Sequence, residues 1–260
     1  MIDKNDILSV RSAIRRGEWQ SPTAGLVPGN VQTNLAILPK KDAFDFLLFA
    51  LRNPQACPII DVTDPGSPYL DRVAPGADVR TDLPKYRIYR KGILEAEVNS
   101  IEKDWQEGLV TFLIGCSFTF ENALMEAGIP IRHIEEGKNA PMYITNRQCV
   151  PGGIFQGPLV VSMRPVPADM VVRAVQITAR FPRVHGAPVH LGNPSELGIK
   201  DISETDFGDS VTVKDGEVPV FWACGVTPQA VAMSVKPDLM ITHAPGHMFI
   251  TNLKDQDLLL

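Results

Sequence analysis

This sequence has no excess of positive charge, no long apolar stretch and no leader-like start. Lys and Arg number 25 against 30 Asp and Glu, a formal net charge of −5, so we expect no nucleic-acid partner. No run of about 18 apolar residues is present, so we expect no membrane-spanning helix and no membrane partner. The first residues carry charges throughout and lack the apolar segment of a signal peptide, which predicts a cytoplasmic protein.

Cysteines are few and widely spaced. The four of them, Cys57, Cys116, Cys149 and Cys224, form no CxxC pair, so they indicate neither a zinc site nor a disulfide framework. The sequence also lacks a GxGxxG fingerprint and a P-loop. We therefore expect no metal and no cofactor.

The composition is that of a globular protein, with 44% hydrophobic residues. The 22 prolines indicate that the chain consists of many short elements. Apolar spacing predicts helices over 3–16, with Asp3 as N-cap, and over 40–52, and the Gly-rich stretch between them is interpreted as a loop. Continuous apolar runs at 58–62 and 109–115 predict buried strands, and residues 86–98 predict a hairpin. Between about 130 and 205 the pattern of apolar segments changes. This change predicts a smaller α+β unit inserted into a domain formed by 1–129 and 206–260.

Four apolar strands end in small or ionisable residues, at Asp61, Cys116, Cys224 and His243. If these strands share one parallel or mixed sheet, their ends lie along one edge, where open α/β sheets bind ligands. Helices beginning at Ser117 and Thr227 would point free backbone N–H groups into that crevice and favour a carboxylate or phosphate. The alternative is that Ser117 and Thr227 only cap their helices.

The cysteines and histidines at these strand ends are candidates for catalytic roles. A thiol at a helix N-terminus, Cys116 or Cys224, is a candidate nucleophile, although buried cysteine is often only a small apolar residue. His243 and His247 are four residues apart, but Pro245 and Gly246 between them exclude a helical metal motif. Either histidine could act as an acid or base near neutral pH, or be a hydrogen-bonded structural residue.

A second polar stretch, residues 180–192, carries Arg180, Arg183, His185 and His190 among prolines and glycines. It predicts a rigid loop that presents cationic donors, and Arg164 at the end of an apolar strand adds another guanidinium. Arginine binds a carboxylate through two parallel hydrogen bonds, so these residues are candidates for holding an acidic substrate. Surface salt bridges are the alternative for each of them.

Several long blocks together resemble one known family. They include PGNVQTNLAILP, RNPQACPIIDVTDPG, FLIGCSFTFENAL, GPLVVSMRP, RFPRVHGAPVHLG, GEVPVFWACGVTPQ and THAPGHMFITNL, and they span nearly the whole chain. The chain resembles the D-glutamate cyclase family, whose bacterial members are named hydro-lyases. The resemblance implies an α/β fold, a three-layer sandwich with a smaller two-layer α+β domain inserted.

The implied reaction is dehydrative cyclisation of D-glutamate to 5-oxo-D-proline, or a related lyase step on a small amino or hydroxy acid. It needs an acid, a base and donors to an oxyanion. We place the γ-carboxyl against the N–H groups of Cys116 and Ser117, and the α-carboxylate on Arg164 or Arg183. His243 with Glu121 forms the acid/base pair, unless Glu121 is only a first-turn acid of its helix.

His185, Thr227 and His247 complete the predicted substrate-binding set. Two other functions stay open from the sequence, a thiol-dependent amidase or lactamase acting through Cys116 and a non-catalytic protein that binds a small carboxylate. Whether the chain forms a homo-oligomer is also left open.

Overall fold

A computed structural model describes residues 2–260 and shows a mixed α/β fold. The helices are α1 Ile7–Arg15, α2 Lys40–Arg52, α3 Phe118–Glu126, α4 Arg132–Glu135, α5 Val171–Ala179 and α6 Thr227–Val235. The strands are β1 Asn30–Pro39, β2 Ile59–Val62, β3 Tyr86–Arg90, β4 Ile93–Val98, β5 Leu109–Gly115, β6 Met142–Gln148, β7 Pro158–Pro167, β8 His190–Leu191, β9 Glu217–Ala223, β10 Met240–His243 and β11 Phe249–Lys254. No helix in the described part of the chain is long and apolar enough to cross a membrane.

The larger sheet has seven strands in the order β2-β5-β1-β10-β3-β4, with β11 also paired to β1. Every strand pairing within residues 2–260 is antiparallel, so the prediction of a mostly parallel or mixed sheet is wrong. The apolar run of β5 favoured a parallel strand, but a central antiparallel strand covered on both faces produces the same pattern. The three-layer sandwich is not confirmed.

Strand β1 lies at the centre of this sheet, where the sequence predicted a loop. Its polar residues gave the misleading signal, because their amides bond to backbone carbonyls rather than to water. Asn30 donates to Thr251 (3.0 Å), and Asn34 donates to Gly115 (2.6 Å). A strand whose side-chain amide donors are bonded in this way can be buried on both faces, as β1 is, although Oε1 of Gln32 has no partner among the described residues.

One edge of β1 is shared by two strands that lie end to end. Thr33 pairs with Phe249 of β11, and Ala36 pairs with Thr242 of β10. The chain takes seven residues from Thr242 to Phe249, whereas β1 takes three from Thr33 to Ala36. The surplus residues leave the sheet as a loop, which we call the 244–248 loop, and open a gap beside β1.

The smaller sheet has the order β6-β7-β9-β8. Its strand β9 lies at 217–223, outside the predicted insertion of 130–205, and the division into domains stays a prediction. Val166 and Trp222 of this sheet share one apolar core with Leu35 and Ile37 of β1. The two sheets are therefore packed together, and the ends of their strands can meet.

Helix α1 begins later than the sequence predicted. Its N-cap is Asp6, whose carboxylate accepts the N–H of Ser9 at 2.8 Å, whereas Asp3 was predicted to be the cap. The predicted helix over 40–52 is confirmed by α2, and the predicted hairpin is confirmed by β3 and β4.

Candidate active site

A small, partly open cavity lies where the ends of β5, β9 and β10 meet the gap beside β1. Its open interior of about 20 Å³ is room for one water molecule. We call it the inner cavity, and its walls carry no charged side chain. It is lined by Asn34, Cys116, Ser117, Phe118, Asn139, Ala140, Met142, Ser162, Cys224, Val226, His243, Gly246 and Met248.

The gap explains how His243 is held. Leu35 pairs with Leu113 of β5 on one side, but on the other side it lies between the β1 residues that pair with β10 and β11, where no strand partner faces it. Instead Nδ1 of His243 lies 3.2 Å from the N–H nitrogen of Leu35 and 3.3 Å from its carbonyl oxygen. The imidazole thus takes the place of a neighbouring strand.

The other ring nitrogen of His243, Nε2, is buried without a partner among the described residues. Burial lowers the pKa of His243 to about 4, while the contact with Leu35 opposes this change. The imidazole is therefore neutral near pH 7. A neutral imidazole with a bare Nε2 in such a cavity can accept or donate one proton.

Two cysteines end β5 and β9 at this cavity. Burial raises the pKa of Cys116 to about 12 and that of Cys224 to about 11, although the N–H groups of Phe118 and Val226 reach the two sulfurs and partly oppose this. Both thiols are protonated at neutral pH. At these two positions the cavity wall therefore offers only weak S–H donors.

Arg164 lies directly behind the cavity and is 1% exposed. It was predicted to hold the substrate, but its guanidinium is engaged by Glu121, to which Nε donates at 3.0 Å and Nη2 also donates. Burial works against ionisation of Glu121, but His133 and Arg164 lower the pKa of its carboxyl below the usual value. Glu121 thus neutralises Arg164, and the predicted Glu121–His243 pair does not form.

The Arg164 guanidinium also orients two cavity hydroxyls. Nη2 donates to Ser117 Oγ (2.8 Å), and Nη1 donates to Ser162 Oγ (2.6 Å). A hydroxyl that accepts from arginine must direct its own proton elsewhere. The Ser162 hydroxyl partly opposes the rise in the pKa of Cys224, so it lies beside that thiol, whereas the Ser117 hydroxyl lines the cavity and is free to donate into it.

The predicted N-caps act differently. Ser117 precedes α3 but makes no side-chain cap bond, because its hydroxyl accepts from Arg164. Thr227 is the first residue of α6 rather than its cap, and its hydroxyl donates to the carbonyl of Cys224 at 2.7 Å. Thr227 does not line the cavity.

The predicted cationic loop does not reach the cavity. Arg183 is exposed, and its nearest polar contact is the carbonyl of Ile60 at 3.5 Å. His185 is buried, contacts the carbonyl of Gln55 at 2.6 Å, and has a pKa lowered by burial to about 4. The loop instead packs against the end of β5, where a Cβ on Gly115 would lie 2.1 Å from the Arg183 carbonyl oxygen.

His247 lies on the other side of the 244–248 loop, in a wider depression of about 400 Å³ that we call the outer bowl. The outer bowl is lined by Lys85, Arg87, Glu97, Asn139, Asp206, Phe207, Gly208, Asp209, Ala244, Pro245 and His247. Asn139 lines both spaces and donates to the carbonyl of Pro245 at 3.1 Å. It packs so closely on Gly246 that a Cβ there would lie 2.6 Å from its amide.

Three polar residues of the cavity were missed from the sequence: Asn34, Asn139 and Ser162. Asn34 lies in a stretch read as a loop, and Asn139 lies outside every regular element. Ser162 had a usable signal, because it lies two residues before Arg164 on the same strand and therefore on the same face. No three His, Cys, Asp or Glu side chains within 2–260 are grouped closely enough to hold a metal ion.

Known proteins resemble this chain closely. Residues 110–252 match the family model described as D-glutamate cyclase. The chain is 65% identical over 248 residues to a protein of Thermoanaerobacter sp. (strain X514) named "Putative hydro-lyase", with 95% of this chain and 94% of that protein covered. It is 60% identical over 249 residues to one of Bacillus subtilis (strain 168) with the same description, with 96% and 97% covered.

A solved structure of a nitrogen repressor-like protein from Methanococcus jannaschii covers 96% of both chains. Its TM-score of 0.40 and identity of 10% are too low to bear on fold or function. The sequence relatives are decisive, and they confirm the resemblance inferred from the sequence blocks. The chain belongs to the D-glutamate cyclase family.

Proposed function

We propose that this protein is a lyase that cyclises D-glutamate to 5-oxo-D-proline, with the γ-carboxyl oxygen that leaves as water in the inner cavity. The carrying observation is the buried Nε2 of His243, which has no partner among the described residues and belongs to a residue lining an uncharged cavity. Leaving such a nitrogen unpaired costs about 1–3 kcal/mol, which a bound substrate would recover. Family membership supports the choice of reaction.

In this reaction the α-nitrogen bonds to the γ-carboxyl carbon, and one carbon–oxygen bond of that carboxyl breaks to release water. The α-ammonium loses two protons as it becomes the lactam N–H, and the leaving carboxylate oxygen gains two, so no proton is consumed overall. His243 carries them in turn: in the tautomer whose Nδ1–H donates to the Leu35 carbonyl, Nε2 is unprotonated, takes each proton from the α-nitrogen and returns it to the leaving oxygen.

The tetrahedral intermediate carries negative charge on oxygen, and Ser117 is placed to stabilise it. Arg164 occupies the acceptor side of the Ser117 hydroxyl, so the proton is available to an oxyanion in the cavity. Arg164 and Glu121 act as positioning residues. The uncharged walls strengthen each of these hydrogen bonds.

Nothing in the geometry favours the thiol-dependent alternative. A nucleophilic cysteine needs a lowered pKa, whereas burial raises the pKa of Cys116 to about 12. The sulfur fills space at the cavity wall. The binding-only alternative differs from our proposal in forming no product.

The experiment is incubation of purified protein with D-glutamate and with L-glutamate, with 5-oxoproline followed by chiral chromatography. We expect product from the D-isomer. His243→Ala should lower kcat by about 100-fold to 10⁴-fold, the usual contribution of a positioned acid or base. His190→Ala is the matched control, because the His190 imidazole hydrogen-bonds only to the carbonyl of Asn193 among the described residues and lies outside the cavity. A folded wild-type protein without turnover would sink the proposal.

The pH dependence is a second readout. A base must be neutral in the free enzyme, and His243 is protonated only near its lowered pKa of about 4. We therefore expect kcat/KM to stay level from pH 8 to about pH 5 and to fall toward pH 4. A fall centred near pH 6.5 would contradict the assignment of His243.

A further inference from the structure

The outer bowl differs from the inner cavity in its charges. Two cations, Lys85 and Arg87, lie on it together with the carboxylates of Glu97, Asp206 and Asp209. The inner cavity has no charged side chain at all. Asn139 lines both, so a ligand that occupied the two spaces would have a charged end in one and an uncharged, reacting end in the other.

The cations retain binding capacity. Lys85 directly precedes β3, and Arg87 is two residues further, so both point to the same side of the sheet. Among the described residues the Lys85 ammonium has neither an ion-pair nor a hydrogen-bond partner. Arg87 donates through Nε to Glu97 (2.7 Å) and through Nη1 to Gln229 (3.3 Å), which leaves Nη2 unused within residues 2–260.

Two of the carboxylates also retain capacity. Asp206 accepts one backbone N–H, from Ile144 at 2.7 Å, and Asp209 accepts one, from Asn139 at 2.9 Å. Each keeps a second oxygen. A ligand with a single negative charge would be repelled by these acids, and a single positive charge would be repelled by Lys85. A zwitterion satisfies both signs.

We propose that the outer bowl binds the zwitterionic head of an α-amino acid, with the α-carboxylate on Lys85 and Arg87 and the ammonium on Asp209. The side-chain carboxyl then reaches past Asn139 to the inner cavity, and the nitrogen leaves Asp209 when it attacks the carbon of that carboxyl. This inference rests on the proposed function and narrows its substrate class, since hydroxy acids and simple dicarboxylates lack the ammonium. It also supplies the carboxylate anchor that Arg164 and Arg183 do not provide.

The test uses ligands that carry the head group but cannot cyclise. D-2-aminopentanoate has both charges, pentanoate lacks the amine, and D-2-aminopentanamide lacks the carboxylate. In NMR titrations we expect the amino acid to bind the wild-type protein at least about 10-fold more tightly than the other two, because each charge-assisted contact contributes about that factor. Equal affinity for all three would overturn the proposal.

Two variants test which side chain binds the carboxylate of the ligand and which binds its ammonium. Lys85→Gln should raise the Kd of the amino acid about 10-fold without changing that of the amide. Asp209→Asn keeps an oxygen for the Asn139 N–H, and it should raise the Kd of the amino acid without changing that of pentanoate. The controls are Lys103→Gln and Asp215→Asn, exposed residues that lie outside the bowl. Changes as large in the controls would also overturn the proposal.

The outcome separates the two proposals. If the binding pattern holds but D-glutamate gives no product, the amino-acid site stands and the cyclase proposal falls. If D-glutamate is cyclised with a KM that neither Lys85→Gln nor Asp209→Asn changes, the amino-acid site falls and the cyclase proposal stands.

Discussion

Two junctions at the inner cavity share one plan and differ in the residue directly after the cysteine. At each, a strand ends in cysteine, a helix follows, and the sulfur is reached by the N–H two residues on. After Cys116 comes Ser117, whose hydroxyl is held by Arg164. After Cys224 comes Gly225, which has no side chain and against which Asn34 packs.

The difference shows how one local structure serves two purposes. The first junction presents a hydroxyl donor to the cavity, whereas the second leaves room for the amide of Asn34 from β1. A Cβ on Gly225 would lie 2.0 Å from that amide nitrogen. Arg164 connects the junctions, since it bonds to Ser117 at one and to Ser162, the partner of Cys224, at the other.

The largest expected effect comes from breaking that connection. Arg164→Met leaves the buried Glu121 with only His133 beside it, which should lower the free energy of unfolding by about 3–5 kcal/mol in chemical denaturation. Adding Glu121→Gln should recover part of the loss, because the buried charge is then removed. Arg183→Met, an exposed arginine, should change stability little. A loss equal to that of the control would show that the pair does not hold the junctions.

The first junction is tested by Ser117→Ala. Loss of one oxyanion donor should lower kcat for D-glutamate by about 100-fold with little change in KM. Ser195→Ala is the control, since that exposed serine bonds only to Asn193. A change in KM alone would mean that Ser117 binds the ground state and does not stabilise the intermediate.

The second junction is tested by Gly225→Ala. The added methyl overlaps Asn34 and should cost about 1–3 kcal/mol of unfolding free energy. The double variant with Asn34→Ala removes the overlapping amide, so it should be less destabilised than the sum of the single changes. Strict additivity would show that the contact is not what requires glycine.

The smallest effects are expected at the cysteines themselves. Cys116→Ser and Cys224→Ser each keep the shape of the cavity, and kcat should fall by less than about 10-fold if the thiols only fill space. Complete loss in Cys116→Ser together with a covalent adduct by mass spectrometry would instead establish the thiol-dependent mechanism.

The sequence predicted the individual elements better than their arrangement. Strand β5 and helices α2 and α3 follow from apolar runs and spacing. Strand β1 could not be predicted, because its amides bond to distant carbonyls that only the folded chain supplies. The Arg164–Glu121 pair is likewise a contact between residues 43 positions apart.

The meeting of Cys116, Ser117 and His243 was anticipated, but for a reason that does not hold. In an antiparallel sheet, alternate strands run in the same direction. Strands β5 and β10 both flank β1, so their carboxyl ends reach the same edge without any parallel pairing. Their roles in catalysis stay predictions, as do those of the other residues proposed from the sequence.

The gap beside β1 implies that deleting a few residues of the 244–248 loop would remove the cavity from this fold. If the 244–248 loop were shortened until β10 and β11 ran on as one strand, the Leu35 backbone would bond to that strand in place of His243. The shortened chain would keep its core and its sheet and would be a tighter, inert scaffold. The site that we propose for catalysis thus depends on the break between β10 and β11 in an otherwise regular antiparallel sheet.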